Sequence, residues 1–271
     1  MQTLSFIPIV LLALSSSSIR LPGAVIVDLD ATIRPAGALA SWPNAGSLGG
    51  TFEKGLDTPS VIQINRVGGG KINVVSLDGV NDWYVGPDAI SGVTGNLSRS
   101  VEVWVANSAV GVEESLISWS RRGGADNTNF SFNFGTSTTA GALSLTGVND
   151  TAWGTSSVPS VNLWHHLVVT YNSSQLIVYS DGVQKVLKTI SGGLSTSTTY
   201  SGGTNAKILI GAQALLDGSV PVQAKATATV SAGAVADVTI SANSGGQVIL
   251  LRRSSPWLAP RAARQRRSPP L

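Results

Sequence analysis

The chain has 271 residues, no cysteine, only 12% charged residues and a formal net charge of +3. The absence of cysteine excludes disulfides and thiolate metal sites. Six arginines within residues 252–271 carry the positive excess, since the remainder holds 12 basic and 15 acidic side chains, which leaves no basic face for nucleic acid.

In chain order, the first feature is an apolar run from Leu4 to Leu14, 11 residues long, followed by small residues. Spanning a bilayer takes roughly 20 residues, so no membrane span is expected. The run reads as the apolar region of a secretory signal peptide over residues 1–24, cleaved between Ser17 and Ala24, although its start lacks Lys and Arg and no A-x-A site follows. The chain is therefore expected to be secreted or displayed at the cell surface.

Val25 to Leu29 reads as a first strand, and residues 31–60, with Ser41-Trp42-Pro43-Asn44, as loops around short strands. Gly68-Gly69-Gly70 lacks both the GK[ST] signature and a following helix, so it is a turn into Ile72–Leu77 and not a phosphate loop. Leu77 to Val85 is a turn feeding a strand. Ser100 to Val105 alternates, with its valines on one face and Glu102 and Trp104 on the other. Ser115 to Ser120 can pair with it. Phe130, Phe132 and Phe134 share a face, and a further strand falls near Ala142 to Thr146.

Residues 164–188 form the organising stretch. His165–Tyr171 and Leu176–Ser180 are rich in β-branched and aromatic residues, with Asn172-Ser173-Ser174 turning between them. Asp181-Gly182 is a hairpin signal that launches Val183–Leu187 as a third strand. Such a meander needs a second sheet to cover its apolar face. With Lys207–Gly211 the count reaches about ten to twelve strands and no amphipathic helix, the pattern of an all-β sandwich or barrel.

The segments LDGVNDWYVG (77–86), SRSVEVWV (98–105), SLISWSRRGG (115–124), LWHHLVVTYNSSQLIVYSDGVQ (163–184) and KILIGAQ (207–213) occur in this order. Together they resemble the laminin G-like, concanavalin A-like lectin domain of secreted bacterial proteins, over residues 25–215. The resemblance implies a two-sheet antiparallel jelly-roll sandwich with one convex and one concave sheet. It also implies carbohydrate or protein ligands at a sandwich edge or on the concave face, often with calcium. Such domains close with a strand that returns beside the first. Here residues 216–251 instead become Ala-, Thr- and Val-rich, and read as one hairpin turning near Ala232-Gly233. The missing strand would leave Val25–Leu29 as an open edge through which the chain self-associates. Residues 252–271 are rich in Arg, Pro and Ser and read as a disordered tail that cannot form a core.

Candidate chemistry is sparse. His165 and His166 are adjacent in a strand, point to opposite faces and cannot jointly ligate one ion. A Ser-His-Asp arrangement lacks a G-x-S-x-G elbow. Sugar hydrolysis needs two carboxylates roughly 5 to 9 Å apart. Laminarinase-like relatives carry them as E-x-D-x-x-E, whereas Glu102 is followed at those positions by Trp104 and Asn107. The chain is therefore expected not to be an enzyme. Asp78, Asn81 and Asp82 cluster in one turn as candidate calcium ligands, and each is equally an ordinary turn residue. Trp104, Trp119 and Trp164 fall in strands and read as core. Trp42, Trp83 and Trp153 lie at turns or strand edges, where an exposed indole could stack on a sugar and where burial is the alternative. The expectation is a secreted or surface-displayed, non-catalytic module for glycans or extracellular protein ligands, with calcium as its candidate cofactor. A polysaccharide-cleaving enzyme and a structural piece of a surface assembly are the alternatives.

Overall fold

A computed structural model describes residues 25–220, apart from 67, 90, 91, 109 and 155–157, together with the backbone of 225–231 and 234–241. The predicted signal segment and tail lie outside the described residues. Among those described there are sixteen strands, numbered in chain order, and no helix.

Seven strands form one antiparallel sheet. Across it run Leu143–Ser144 (β10), Asn129–Asn133 (β9), Ser115–Ser120 (β8), Lys207–Ile210 (β14), Tyr84–Asp88 (β6), Thr51–Lys54 (β3) and Ser41–Pro43 (β2). Four strands form the second sheet, in the order Val183–Thr189 (β13), Gln175–Ser180 (β12), His165–Tyr171 (β11) and Arg99–Val105 (β7). A smaller sheet joins Gly37–Ala38 (β1), Ser60–Asn65 (β4) and Lys71–Ser76 (β5). Lys225–Ser231 (β15) and Ala234–Ser241 (β16) pair with each other as an antiparallel hairpin.

The two large sheets share one core. Phe52, Tyr84, Trp119, Phe130 and Phe132 enter it from the first sheet, and Leu167, Val169, Tyr171, Leu176 and Val178 from the second. Period-two alternation produces this directly, since residues 165, 167, 169 and 171 of β11 are buried and 166, 168 and 170 between them are not. The predicted meander is present. Asp181 and Gly182 both take positive φ (53° and 77°), the geometry of a tight two-residue hairpin turn. Asn172 Oδ1 accepts the N–H groups of Ser174 and Gln175 and closes the other turn.

Arg99 closes one end of the core. Its guanidinium lies 5.8–5.9 Å from the ring centroids of Trp119, Phe130 and Tyr171. It donates to the carbonyls of Val93 and Gly95 and to Thr196 Oγ1. Burial lowers its pKa to about 10.

Val25–Leu29 is not a strand and offers no open edge, which corrects the sequence expectation. Its carbonyls accept N–H groups from the following loop, Ala45 to Asp28, Ser47 to Val25 and Leu48 to Ile26. Asn44 fastens the same segment, accepting from Asp28 N–H and donating to Ile26 O. These groups are no longer free to template pairing with another copy.

Candidate functional site

The outward face of the four-stranded sheet concentrates exposed aromatic and apolar side chains. β7 alternates, so Val101, Val103 and Val105 turn toward the core while Ser100, Glu102 and Trp104 face out. Trp104 is 64% exposed. Its cross-strand partner on β11 is His166, whose ring lies against the indole with centroids 4.8 Å apart and planes at 22°. Glu102 Oε1 approaches His166 Nε2 at 2.9 Å, from off the hydrogen-bonding direction, so the contact is an ion pair when the ring is protonated. Along the next cross-strand row, Glu102 stands opposite Val168, and Val168 opposite Tyr179 of β12. Trp164, 44% exposed, precedes β11, and Asn162 nearby donates its N–H to Asn107 O just beyond β7. Leu163 and Leu187 are also exposed.

Trp104 and Trp164 were expected in the core and are at the surface, while Trp42 and Trp153 were candidate stacking residues and are buried. Trp42 packs edge-on to Tyr84 at 5.5 Å. Trp153, 2% exposed, sits beside Phe132 and donates its indole N–H to Asn133 O. Neither presents a ring face to a ligand. Trp83 is half-buried and lies over Gly55, where a Cβ would overlap its ring. The usable signal for Trp104 was the SVEVWV alternation, which placed it with Glu102 opposite the valines.

The 78–82 turn is built from its own carboxylates. Asp78 Oδ1 accepts the N–H groups of Val80, Asn81 and Asp82, and Asp82 Oδ2 accepts that of Asp78. Burial pushes the Asp78 carboxyl up, but these donors outweigh it and hold it below the usual value. Burial raises Asp82, and the negative charges of Asp78 and Asp57 add to the rise. Among the described residues, no three His, Cys, Asp or Glu side chains gather closely enough to hold a metal ion. Asp78 Oδ2 and Asp82 Oδ1 take no hydrogen bond there.

The residues that hydrolysis would require do not converge on this face. β7, β11, β12 and β13 together contain one carboxylate, Glu102. Glu113, next in sequence, is held by Arg122 at 2.6 Å, and Glu114 Oε1 accepts the Gly111 N–H. His165 pairs through Nδ1 with Asp181 at 2.7 Å, but its Nε2 faces the carbonyl oxygen of Ser160 at 3.0 Å where a triad would need a hydroxyl. A shallow cleft at the free edge of β13 is lined by Thr139, Val148, Asp150 and Lys188. The Lys188 ammonium there is engaged by the carbonyls of Val148 and Asp150.

Two antiparallel sheets packed over a shared aromatic core, with an aromatic-bearing outer face, define an all-β jelly-roll sandwich. The chain matches the family Laminin G 3, described as the concanavalin A-like lectin/glucanases superfamily, over residues 78–244. It belongs to that superfamily. The match begins after β5 and runs through the β15–β16 hairpin. No curated protein matches the chain. Among solved structures, it is similar to domain 4 of AbnA, a GH43 extracellular arabinanase from Geobacillus stearothermophilus, in complex with arabinotriose. That similarity has 18% identity and a TM-score of 0.44, covering 70% of this chain and 89% of that chain. Among the described residues no helix is long and apolar enough to cross a membrane.

Proposed function

We propose that the protein is a non-catalytic glycan-binding module, exported to the cell exterior, that holds its ligand on the outward face of the four-stranded sheet. The observation that carries this reading is Trp104, 64% exposed and backed on one side by His166. A rigid indole with a free face presents a flat apolar surface to the C–H face of a pyranose and loses little side-chain entropy on binding. Glu102 and Tyr179, on the same face, supply an acceptor and a hydroxyl for the sugar's hydroxyl groups. The presence of a single carboxylate on this sheet favours binding over bond cleavage.

Calcium dependence is a separate proposal. It rests on the unpartnered Asp78 Oδ2 and Asp82 Oδ1 with Asn81 beside them, which are the oxygen types a hard cation takes.

A glycan array probed with the wild type, Trp104→Ala and Glu102→Gln, in calcium and in EDTA, tests both proposals. Retained glycans should weaken at least tenfold, about 1.4 kcal/mol, in Trp104→Ala. Reducing-sugar release should be absent throughout. An array on which the wild type retains nothing, or on which Trp104→Ala binds unchanged, would overturn the glycan reading. Equal binding in calcium and EDTA would remove the calcium proposal alone.

A further inference from the structure

Both ring nitrogens of His165 face acceptors. Nδ1 meets Asp181 Oδ2 at 2.7 Å, and Nε2 meets the carbonyl oxygen of Ser160 at 3.0 Å. A neutral imidazole carries one N–H and one lone pair, so it satisfies only one of these contacts, while the imidazolium satisfies both. Asp181 is fixed in place, since Oδ1 accepts the His166 N–H and Oδ2 the Ser180 hydroxyl. Phe134 meets the ring edge-on at 6.0 Å, and Glu114, whose carbonyl accepts the Phe134 N–H, turns its carboxylate to the Gly111 N–H. His166 and Glu102 pair on the opposite face of the sheet.

Ser160 begins the short segment that carries Val161, Leu163 and Trp164 into solvent. Among the described residues, two hydrogen bonds tie this segment to the sandwich: Asn162 N–H to Asn107 O at 2.7 Å, and the His165 ring to Ser160 O. Ser160 O takes no other hydrogen bond there. Loss of its proton would leave the Nε2 lone pair pointing at the Ser160 oxygen, or force the Asp181 contact to be given up instead.

We infer that His165 is a positioning residue for Trp164, and that through it the exposed aromatic face is ordered by protonation and loosened as pH rises. Histidine titrates in the range where such a tie would respond, between about pH 5 and 8. The consequence for ligand affinity rests on the glycan reading above, whereas the positioning of Trp164 does not.

The test is 19F NMR of the full chain labelled with 5-fluorotryptophan, from about pH 5 to pH 9. Trp164→Phe identifies the Trp164 resonance, and the His165 ring proton signal gives that residue's own midpoint. The Trp164 resonance should move with the His165 midpoint and become independent of pH in His165→Gln. In Asp181→Asn, which keeps the ring, the Trp164 resonance should still follow the His165 ring signal. A Trp164 resonance that stays fixed, or that follows His166 instead, would overturn the inference. Array signals weaker at pH 8 than at pH 5.5 would extend it to ligand binding. A resonance that tracks His165 with no glycan retained at either pH would uphold the positioning role and sink the glycan reading.

Discussion

The imidazole of His166 lies flat against Trp104, their centroids 4.8 Å apart, and leaves the opposite indole face to solvent. The neighbouring His165 turns the other way and meets Phe134 edge-on inside the sandwich. One strand thus spends two successive histidines on two separate tasks, as its period-two geometry requires.

That arrangement predicts opposite responses from two tryptophans. Trp104→Ala should change stability by no more than about 0.5 kcal/mol, because it removes an exposed side chain. Trp153→Ala should cost about 3–5 kcal/mol, because it opens a cavity beside Phe132 and strands the Asn133 carbonyl. Urea unfolding of both variants checks this. A loss above about 2 kcal/mol in Trp104→Ala would count against an exposed role.

Asp181 should contribute to the acid limb of stability. Burial pushes its carboxyl up, but the His165 ring, the His166 N–H and the Ser180 hydroxyl hold it below the usual carboxylate value. A carboxylate lowered in the folded state stabilises above its unfolded pKa, about 3.9, and loses that contribution as pH falls through the folded value. Asp181→Asn should therefore be less stable at neutral pH and show a flatter decline between about pH 4 and 2. Melting temperatures across that range are the measurement, and parallel curves would refute the assignment.

Gly86 in β6 leaves room for the Phe52 ring, which a Cβ would overlap. Gly86→Ala should cost about 1–3 kcal/mol through overpacking. Adding Phe52→Leu should recover part of that loss, since the two sites touch and their effects should not add. Additive losses in a double-mutant cycle would show that the strain lies elsewhere.

Arg99→Lys should destabilise by about 2 kcal/mol or more, despite conserving charge. A lysine cannot reproduce the planar group that contacts Trp119, Phe130 and Tyr171 while donating to Val93 O, Gly95 O and Thr196. A thermal shift indistinguishable from wild type would mean that the carbonyls and not the rings set its role.

Local patterns account for much of the fold. The meander of 165–189, its Asp181-Gly182 turn and the inward valines of β7 all follow from alternation and turn chemistry, which act over a few residues. The separation of His165 from His166 follows in the same way. The Val25–Leu29 segment shows the limit of that reasoning. Its residues suit a strand, but Asn44 and the 45–48 loop take up its backbone groups. No propensity records which distant loop will compete for a hydrogen bond.

The tryptophans show the same division. The sequence alone determined that Trp104 and Glu102 share one face of a strand, because side chains in an extended chain must alternate. Only the tertiary structure decided that this face meets water, since that depends on where the seven-stranded sheet packs. It likewise decided that Trp42, in a three-residue strand, and Trp153, in a loop, are covered by Tyr84 and Phe132 from elsewhere in the chain. Alternation divides a strand into two sides, and the layer that arrives from far along the chain determines which of them becomes the interior.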